Sequence, residues 1–302
     1  MTTARTVPAA DGVPLHVDID GPEDAPVTVV LVHGWTLDRR AWEPVARSLA
    51  GGPAPVRVVR PDHRGHGRSA AVEPATMTID QLADDLAEVV AATAPTGPLV
   101  LAGHSMGGMT LMALAERHPD VVARARGVAL VSTASGGLAE RPFGLAPPVA
   151  AVYRRVQRRV SGTRGWARRE HFGNPHLIAP AMRWLLLGTR PSAEARRITC
   201  ETVGACRPLT VSGFQPTLEA HERDAALPAF ADIPTVVLVG SRDRLTPVSA
   251  ARRIADALPS AGLTIFPGAG HMLPLERVSG VSSRIAALAR GAVRNGELRA
   301  TA

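Results

Sequence analysis

Runs of Val, Leu and Ala without polar alternation mark the first half of the chain and return near its end: VTVVLVHG at 27–34, VRVVRPDHRG at 56–65, PLVLAGHS at 98–105, GVALVSTAS at 127–135 and TVVLVGS at 235–241. A strand that is apolar at every position must be buried on both faces, as a parallel strand is when helices cover both sides of its sheet. LTIFPG at 263–268 reads as a further strand-like run. Ala- and Leu-rich helical stretches lie between these segments. One is predicted to begin at Thr78, where Thr78 and Gln81 fit a capping box ahead of LADDLAEVVAA. Strand and helix in alternation predict an α/β fold with a mostly parallel, doubly wound sheet.

The alternation stops near Gly136 and resumes near Pro234, so the expected division is a core of residues 1–135 and 234–302 with a helical cap inserted at 136–233. Within that insertion Val149, Val152, Tyr153, Val156 and Val160 recur at helical spacing, with Arg154, Arg155, Arg158 and Arg159 on the other side. An amphipathic cap helix with a cationic outer face is expected there.

Composition narrows the chemistry. The 302 residues are 45% hydrophobic and 20% charged, as in an ordinary globular enzyme. All 34 basic residues are arginine, which removes Schiff-base chemistry and lysine activation of a nucleophile. The net charge of +7 is local: residues 136–225 hold 14 arginines against 7 acidic residues, and the rest balances 20 against 20. Such a patch could attract an anionic substrate or an acidic carrier protein, but a solvated helix face is the preferred reading. Nucleic acid is not expected as a partner, because aromatic residues are only 3% of the chain and none is interleaved with the basic run. Cys200 and Cys206 are too few for a disulfide framework and wrongly spaced for zinc, so free thiols are expected. The opening MTTARTVPAADG has no apolar signal core, and the longest apolar run, VTVVLV, is far short of a membrane span. A cytoplasmic protein with no membrane partner is the expectation.

The strand PLVLA runs directly into Gly103-His104-Ser105-Met106-Gly107 and then into helical GMTLMALAERH. A G-x-S-x-G motif between a strand and a helix presents its serine on a sharp turn, with glycines on each side permitting the close approach. Ser105 Oγ would stand at a helix N-terminus, where the dipole and the Met106 N–H can stabilise developing negative charge. A serine hydroxyl needs a base, and the base needs a group that fixes its tautomer. Asp243 in SRDRLTP follows the strand TVVLVGS, and His271 in GAGHMLP follows LTIFPG. A second oxyanion donor is expected from the loop after the first long strand, His33-Gly34-Trp35, with Gly34 letting the backbone turn inward and Trp35 supplying its N–H. His63 and His66 in PDHRGHGRS suggest a metal or phosphate site, yet no carboxylate or cysteine cluster completes a coordination set, and a structural loop is preferred.

With HGW at 33–35, PDHRGHGRS at 61–69, GHSMGG at 103–108, GSRDRLTP at 240–247 and GAGHMLPLE at 268–276, nearly the whole chain resembles the α/β-hydrolase superfamily, of the bacterial esterase, perhydrolase and C–C hydrolase type. The resemblance implies a Ser105–His271–Asp243 triad, an oxyanion hole from Trp35 and Met106, support from His33, Gly34, Gly103, His104 and Gly107, and a cap at the insertion point. No cofactor and no metal are implied. Epoxide hydrolases and haloalkane dehalogenases of this superfamily carry aspartate at the nucleophile, so serine argues against both. The expected substrate is a small to medium, largely apolar carboxylic ester cleaved through an acyl-enzyme. A cofactor-free perhydrolase or a C–C hydrolase would use the same triad, and a ligand-binding protein that has lost catalysis is the reading from another class.

Overall fold

The computed structural model describes residues 2–52, 56–138, 155, 164–167 and 169–300, with side chains described as far as 294. The eight strands are β1 (Thr3–Pro8), β2 (Pro14–Asp20), β3 (Thr28–Val32), β4 (Arg57–Pro61), β5 (Leu99–His104), β6 (Ala125–Val131), β7 (Thr235–Gly240) and β8 (Gly262–Phe266). They form one sheet in the order β1-β2-β4-β3-β5-β6-β7-β8, parallel from β4 to β8. The principal helices are α1 (Glu43–Ala50), α2 (Ile79–Thr93), α3 (Met106–Arg117), α4 (Pro175–Leu186), α5 (Ala193–Ala205), α6 (Pro208–Glu219), α7 (Val248–Ala257) and α8 (Val278–Ala300).

The unbroken apolar runs are explained by the two cores. Val30 and Val32 of β3, Leu99 and Leu101 of β5, Val128 and Leu130 of β6 and Val237 and Val239 of β7 point to the face covered by α2 and α3. Their neighbours Val29, Leu31, Val100, Ala102, Ala129, Val131 and Leu238 point to the opposite face, against α1 and α8. Each strand residue therefore has a core to enter, whichever side it faces.

The chain passes from β3 to β4 on one side and then to β5 on the other. Between β3 and β5 the winding reverses, and in open α/β sheets ligands bind at the C-terminal ends of the strands on either side of such a point. His33–Trp35 follow β3 and Ser105 follows β5.

Three features differ from the sequence reading or extend it. The antiparallel strands β1 and β2 are additional. Their signal was present in β2, where Leu15, Val17 and Ile19 are buried and His16, Asp18 and Asp20 are partly exposed, the period of a strand with one covered face. The turn between them uses Gly12 at φ +82°. Next, only half of the capping box forms. Thr78 accepts from the Gln81 N–H at 3.1 Å, but the Gln81 side chain turns to Asp85 at 3.3 Å. Finally, between β6 and β7 the described residues contain a short helical turn at Arg164–Ala167, α4, α5, α6 and a 3-10 turn at Asp224–Phe230, and no strand. The proposed amphipathic stretch Val149, Val152, Tyr153, Val156 and Val160 lies outside the described residues, as do Arg154, Arg158 and Arg159. Leu186, Leu187, Ile198 and Val203 of the α4–α5 region form a third apolar cluster with Leu37, Ala41, Met272 and Leu275, which brings this segment against the loops after β3 and β8. In α6, Phe214 is fully buried in the core beneath α2.

Candidate active site

Strand β5 ends at His104 and α3 begins at Met106, so one residue, Ser105, makes the turn, at φ 54° and ψ −120°. A positive φ costs a non-glycine residue about 1–3 kcal/mol and persists only where the surroundings impose it. Here the neighbouring glycines allow strand and helix to close together. A Cβ on Gly103 would lie 2.5 Å from the Gly107 carbonyl, and one on Gly107 would lie 2.2 Å from the Val32 carbonyl oxygen. The Ser105 N–H donates to the Val131 carbonyl at 2.9 Å, and its carbonyl accepts from Gly108 N–H and Thr133 Oγ1, both at 2.8 Å. The backbone is thus pinned on both sides while the side chain projects, partly exposed, from the C-terminal edge of the sheet. Met106 opens α3, and the first N–H groups of a helix have no partner within it.

Asp243 lies in the turn after β7 and His271 in the loop after β8. Both are buried, and His271 Nδ1 stands 3.0 and 2.9 Å from the two Asp243 oxygens. A carboxylate only accepts, so the network assigns the proton to Nδ1 and leaves Nε2 with a free lone pair. Asp243 is held in turn by the Leu245 and Thr246 N–H groups, both at 2.9 Å, and by Thr246 Oγ1 at 2.9 Å. Burial pushes the Asp243 carboxyl upward, but His271 and these donors outweigh it and hold the group below the usual carboxylate range. Thr246, whose Oγ1 also approaches His271 Nδ1 at 3.3 Å, escaped the sequence reading. Only its place three residues after the acid in a tight turn could have signalled it.

His104 joins the serine turn to the histidine loop. Its Nε2–H donates to the His271 carbonyl at 2.9 Å, and the two rings lie 4.9 Å apart. Gly34 closes the group: a Cβ there would lie 3.0 Å from Ser105 Cβ and 3.1 Å from His104 Nδ1. The end of β3, the serine turn and the His271 loop are therefore contiguous.

The histidines of the two Gly-rich loops serve as main-chain braces. His33 Nδ1 donates to the Gly34 carbonyl at 2.8 Å and its Nε2 accepts from the His63 N–H at 3.0 Å. His63 Nε2 donates to the His33 carbonyl at 3.0 Å. His66 Nδ1 donates to the Arg64 carbonyl at 3.0 Å, and its Nε2 accepts from the Thr36 N–H at 3.3 Å. With three ring donors given to carbonyls, and the acceptors of His33 and His66 given to amides, this set holds the turn at Trp35, including Thr36 at φ 63°. Among the described residues no group of three or more His, Cys, Asp or Glu could hold a metal. Nor is any described helix long and apolar enough to cross a membrane. Cys200 and Cys206 are free and buried, and burial pushes the Cys206 thiol up to about 12.

Burial also keeps these imidazoles neutral. It takes His104 to about 3, His66 and His221 to about 4, and His33 and His63 well below the ordinary range. The unfolded chain binds these protons near pH 6.5 and the folded chain does not, so the stability present above that pH is lost as pH falls below it. Denaturant titrations from pH 7 to pH 5 are expected to show ΔG of unfolding falling by more than one proton's slope, ~1.4 kcal/mol per pH unit. A flat profile would contradict the assignment of these rings as neutral.

Comparison with known proteins bears on this geometry. A model of the alpha/beta hydrolase family matches residues 29–283. A pimeloyl-[acyl-carrier protein] methyl ester esterase of Chromobacterium violaceum is 31% identical over 247 residues, covering 80% of this chain and 86% of that protein. A monoacylglycerol lipase of Mycolicibacterium smegmatis is 28% identical over 270 residues, covering 86% of each. Among solved structures, an esterase from Thermogutta terrifontis superposes with a TM-score of 0.75 at 28% identity, covering 96% of this chain and 99% of the other.

Proposed function

Because the chain belongs to the alpha/beta hydrolase family, we propose that it hydrolyses small to medium, largely apolar carboxylic esters through an acyl-enzyme on Ser105. The observation that carries this reading is the buried Asp243–His271 pair, fastened through His104 to the strained serine turn. The relatives named above support the bond type, since both names specify an ester or acylglycerol.

In this reading His271 Nε2 takes the proton from Ser105 Oγ as the oxygen adds to the ester carbonyl. The N–H groups of Met106 and Trp35, just beyond the C-terminal ends of β5 and β3, stabilise the resulting oxyanion, each at about 10²- to 10³-fold in rate. His271 then returns the proton to the departing alcohol. Water adds to the acyl-enzyme by the same steps in reverse, giving the acid and free Ser105. Asp243 stays ionised throughout and stabilises the imidazolium. Of residues 136–233, the described segment 175–205 serves as a cap over this edge, packed on Leu37 and Met272, with the half-buried Leu245 beside it offering apolar surface to the acyl chain.

A p-nitrophenyl ester series from acetate to octanoate tests the reading. Turnover is expected throughout, with kcat/KM changing by about 1–3 kcal/mol per methylene up to the depth of the pocket. Absence of turnover across the series, together with no labelling by a fluorophosphonate probe, would overturn it.

A further inference from the structure

The loop that carries His271 is fastened to the end of α4 by main-chain bonds in both directions. The carbonyl of Leu186, the last residue of α4, is one of the terminal acceptors a helix leaves unused. It accepts from the N–H groups of His271 at 2.8 Å and Met272 at 3.2 Å, while the Thr189 N–H returns to the Gly268 carbonyl at 2.9 Å. Glu276 completes the joint. Its Oε2 accepts from the Gly188 N–H at 2.7 Å and its Oε1 from the Gly270 N–H at 2.9 Å. One carboxylate thus bridges the residue before His271 and the second residue after α4.

The fit is close. A Cβ on Gly188 would lie 2.0 Å from the Gly268 carbonyl oxygen, and one on Gly270 would lie 2.6 Å from the Gly188 nitrogen. The same turn of α4 also meets the acid's loop, because Arg244, next to Asp243, donates to the Trp184 carbonyl and lies 4.9 Å over the Trp184 indole. The end of α4 therefore touches both loops whose side chains form the Asp243–His271 pair.

We propose that Glu276 is a positioning residue for His271. By tying Gly270 to Gly188 it holds the histidine loop against the end of α4, so that the aim of the imidazole depends on the inserted segment being seated. The proposal rests on the reading of Ser105, His271 and Asp243 as acyl-transfer machinery. Glu276 meets the two N–H groups with separate oxygens, and an amide in the same place would turn an NH₂ donor against one of them. Among the described residues, the titratable groups that face His271 are Asp243 from the loop after β7, His104 from the end of β5 and Glu276 from its own loop, with Arg277 beside Glu276 and Arg244 beside Asp243.

The test is Glu276→Gln in the full chain, with kcat and KM for p-nitrophenyl butyrate followed against pH, the rate of fluorophosphonate labelling, and the melting temperature. A misaimed base is expected to lower kcat by about 10²-fold. KM should change by less than about twofold, since a group acting through the base adds nothing to ground-state binding. The acid limb of the pH profile should move to lower pH, because a negative charge that favours the imidazolium is gone. Wild-type kcat with an unmoved limb would overturn the proposal, as would a lowered melting temperature with kcat and limb unchanged. If the variant does not fold, Glu276→Asp decides: the charge stays but the bridge is too short, so kcat should fall with the limb in place, and wild-type kcat would refute the proposal. Labelling of the wild-type protein separates the two levels. An unlabelled Ser105 would bring down the underlying reading, whereas a labelled wild type beside an unimpaired variant would bring down the Glu276 assignment alone.

Discussion

Ser105→Ala is expected to reduce kcat for p-nitrophenyl esters by about 10⁶-fold, the scale on which removal of a nucleophile that acts as a unit with its base abolishes catalysis. The substitution removes one oxygen at a position whose backbone is secured by Val131, Gly108 and Thr133, so the turn is retained. The variant should fold, because the contacts that enforce φ 54° come from Gly103, Gly107 and the backbone of β3 and not from the hydroxyl. Residual turnover near the background rate, with no labelling by a fluorophosphonate, is the expected outcome. Labelling at the wild-type rate would show that another residue is the nucleophile.

Asp243→Asn is expected to cost about 10⁴-fold in kcat at neutral pH, with little change in fold, because it reverses the tautomer of the base. The direction follows from the donors around the carboxylate. Oδ1 accepts two main-chain N–H groups, from Leu245 and Thr246. An amide must place its oxygen there, which leaves its NH₂ at the position of Oδ2, 2.9 Å from His271 Nδ1. Although Oδ1 stays 3.0 Å away, an NH₂ hydrogen aimed along the shorter contact favours an accepting Nδ1; the ring proton then sits on Nε2, which can no longer take a proton from Ser105. Steady-state kinetics of the variant across pH check this, and a loss smaller than about tenfold would mean that Asp243 does not set the tautomer.

The core was legible because a strand buried on both faces leaves an unmistakable apolar run, and five such runs in alternation with helices permit few folds. β8 was legible only as a short strand-like stretch, and its residues are less buried than those of the central strands. The β1–β2 hairpin was not legible in the same way although Leu15, Val17 and Ile19 alternate cleanly, because a strand with one wet face leaves no continuous apolar run. Half of the Thr78 capping box was lost to competition: Asp85 takes the Gln81 side chain that would otherwise reach back to the Thr78 N–H.

At the site, local order decided what could be read. Ser105 announces itself because strand, turn and helix are adjacent in sequence and the glycines that permit the turn stand two residues to either side. Asp243 and His271 could be named because each follows a parallel strand, and all such strand ends lie on one edge of the sheet. What the amino-acid order determined by itself is therefore the parallel part of the sheet, the edge at which the chemistry-bearing loops gather, and the residue types on those loops. Only the tertiary structure decided how those residues are held: Thr246 and two amides on Asp243, His104 on the His271 carbonyl, three neutral imidazoles bracing the Trp35 turn, and Glu276 tying the histidine loop to the end of α4. Each of these is a hydrogen bond to a neighbour fixed by packing, many of them to a backbone group. Any residue can supply a backbone group, so its identity leaves no mark in the sequence until the fold brings the two together.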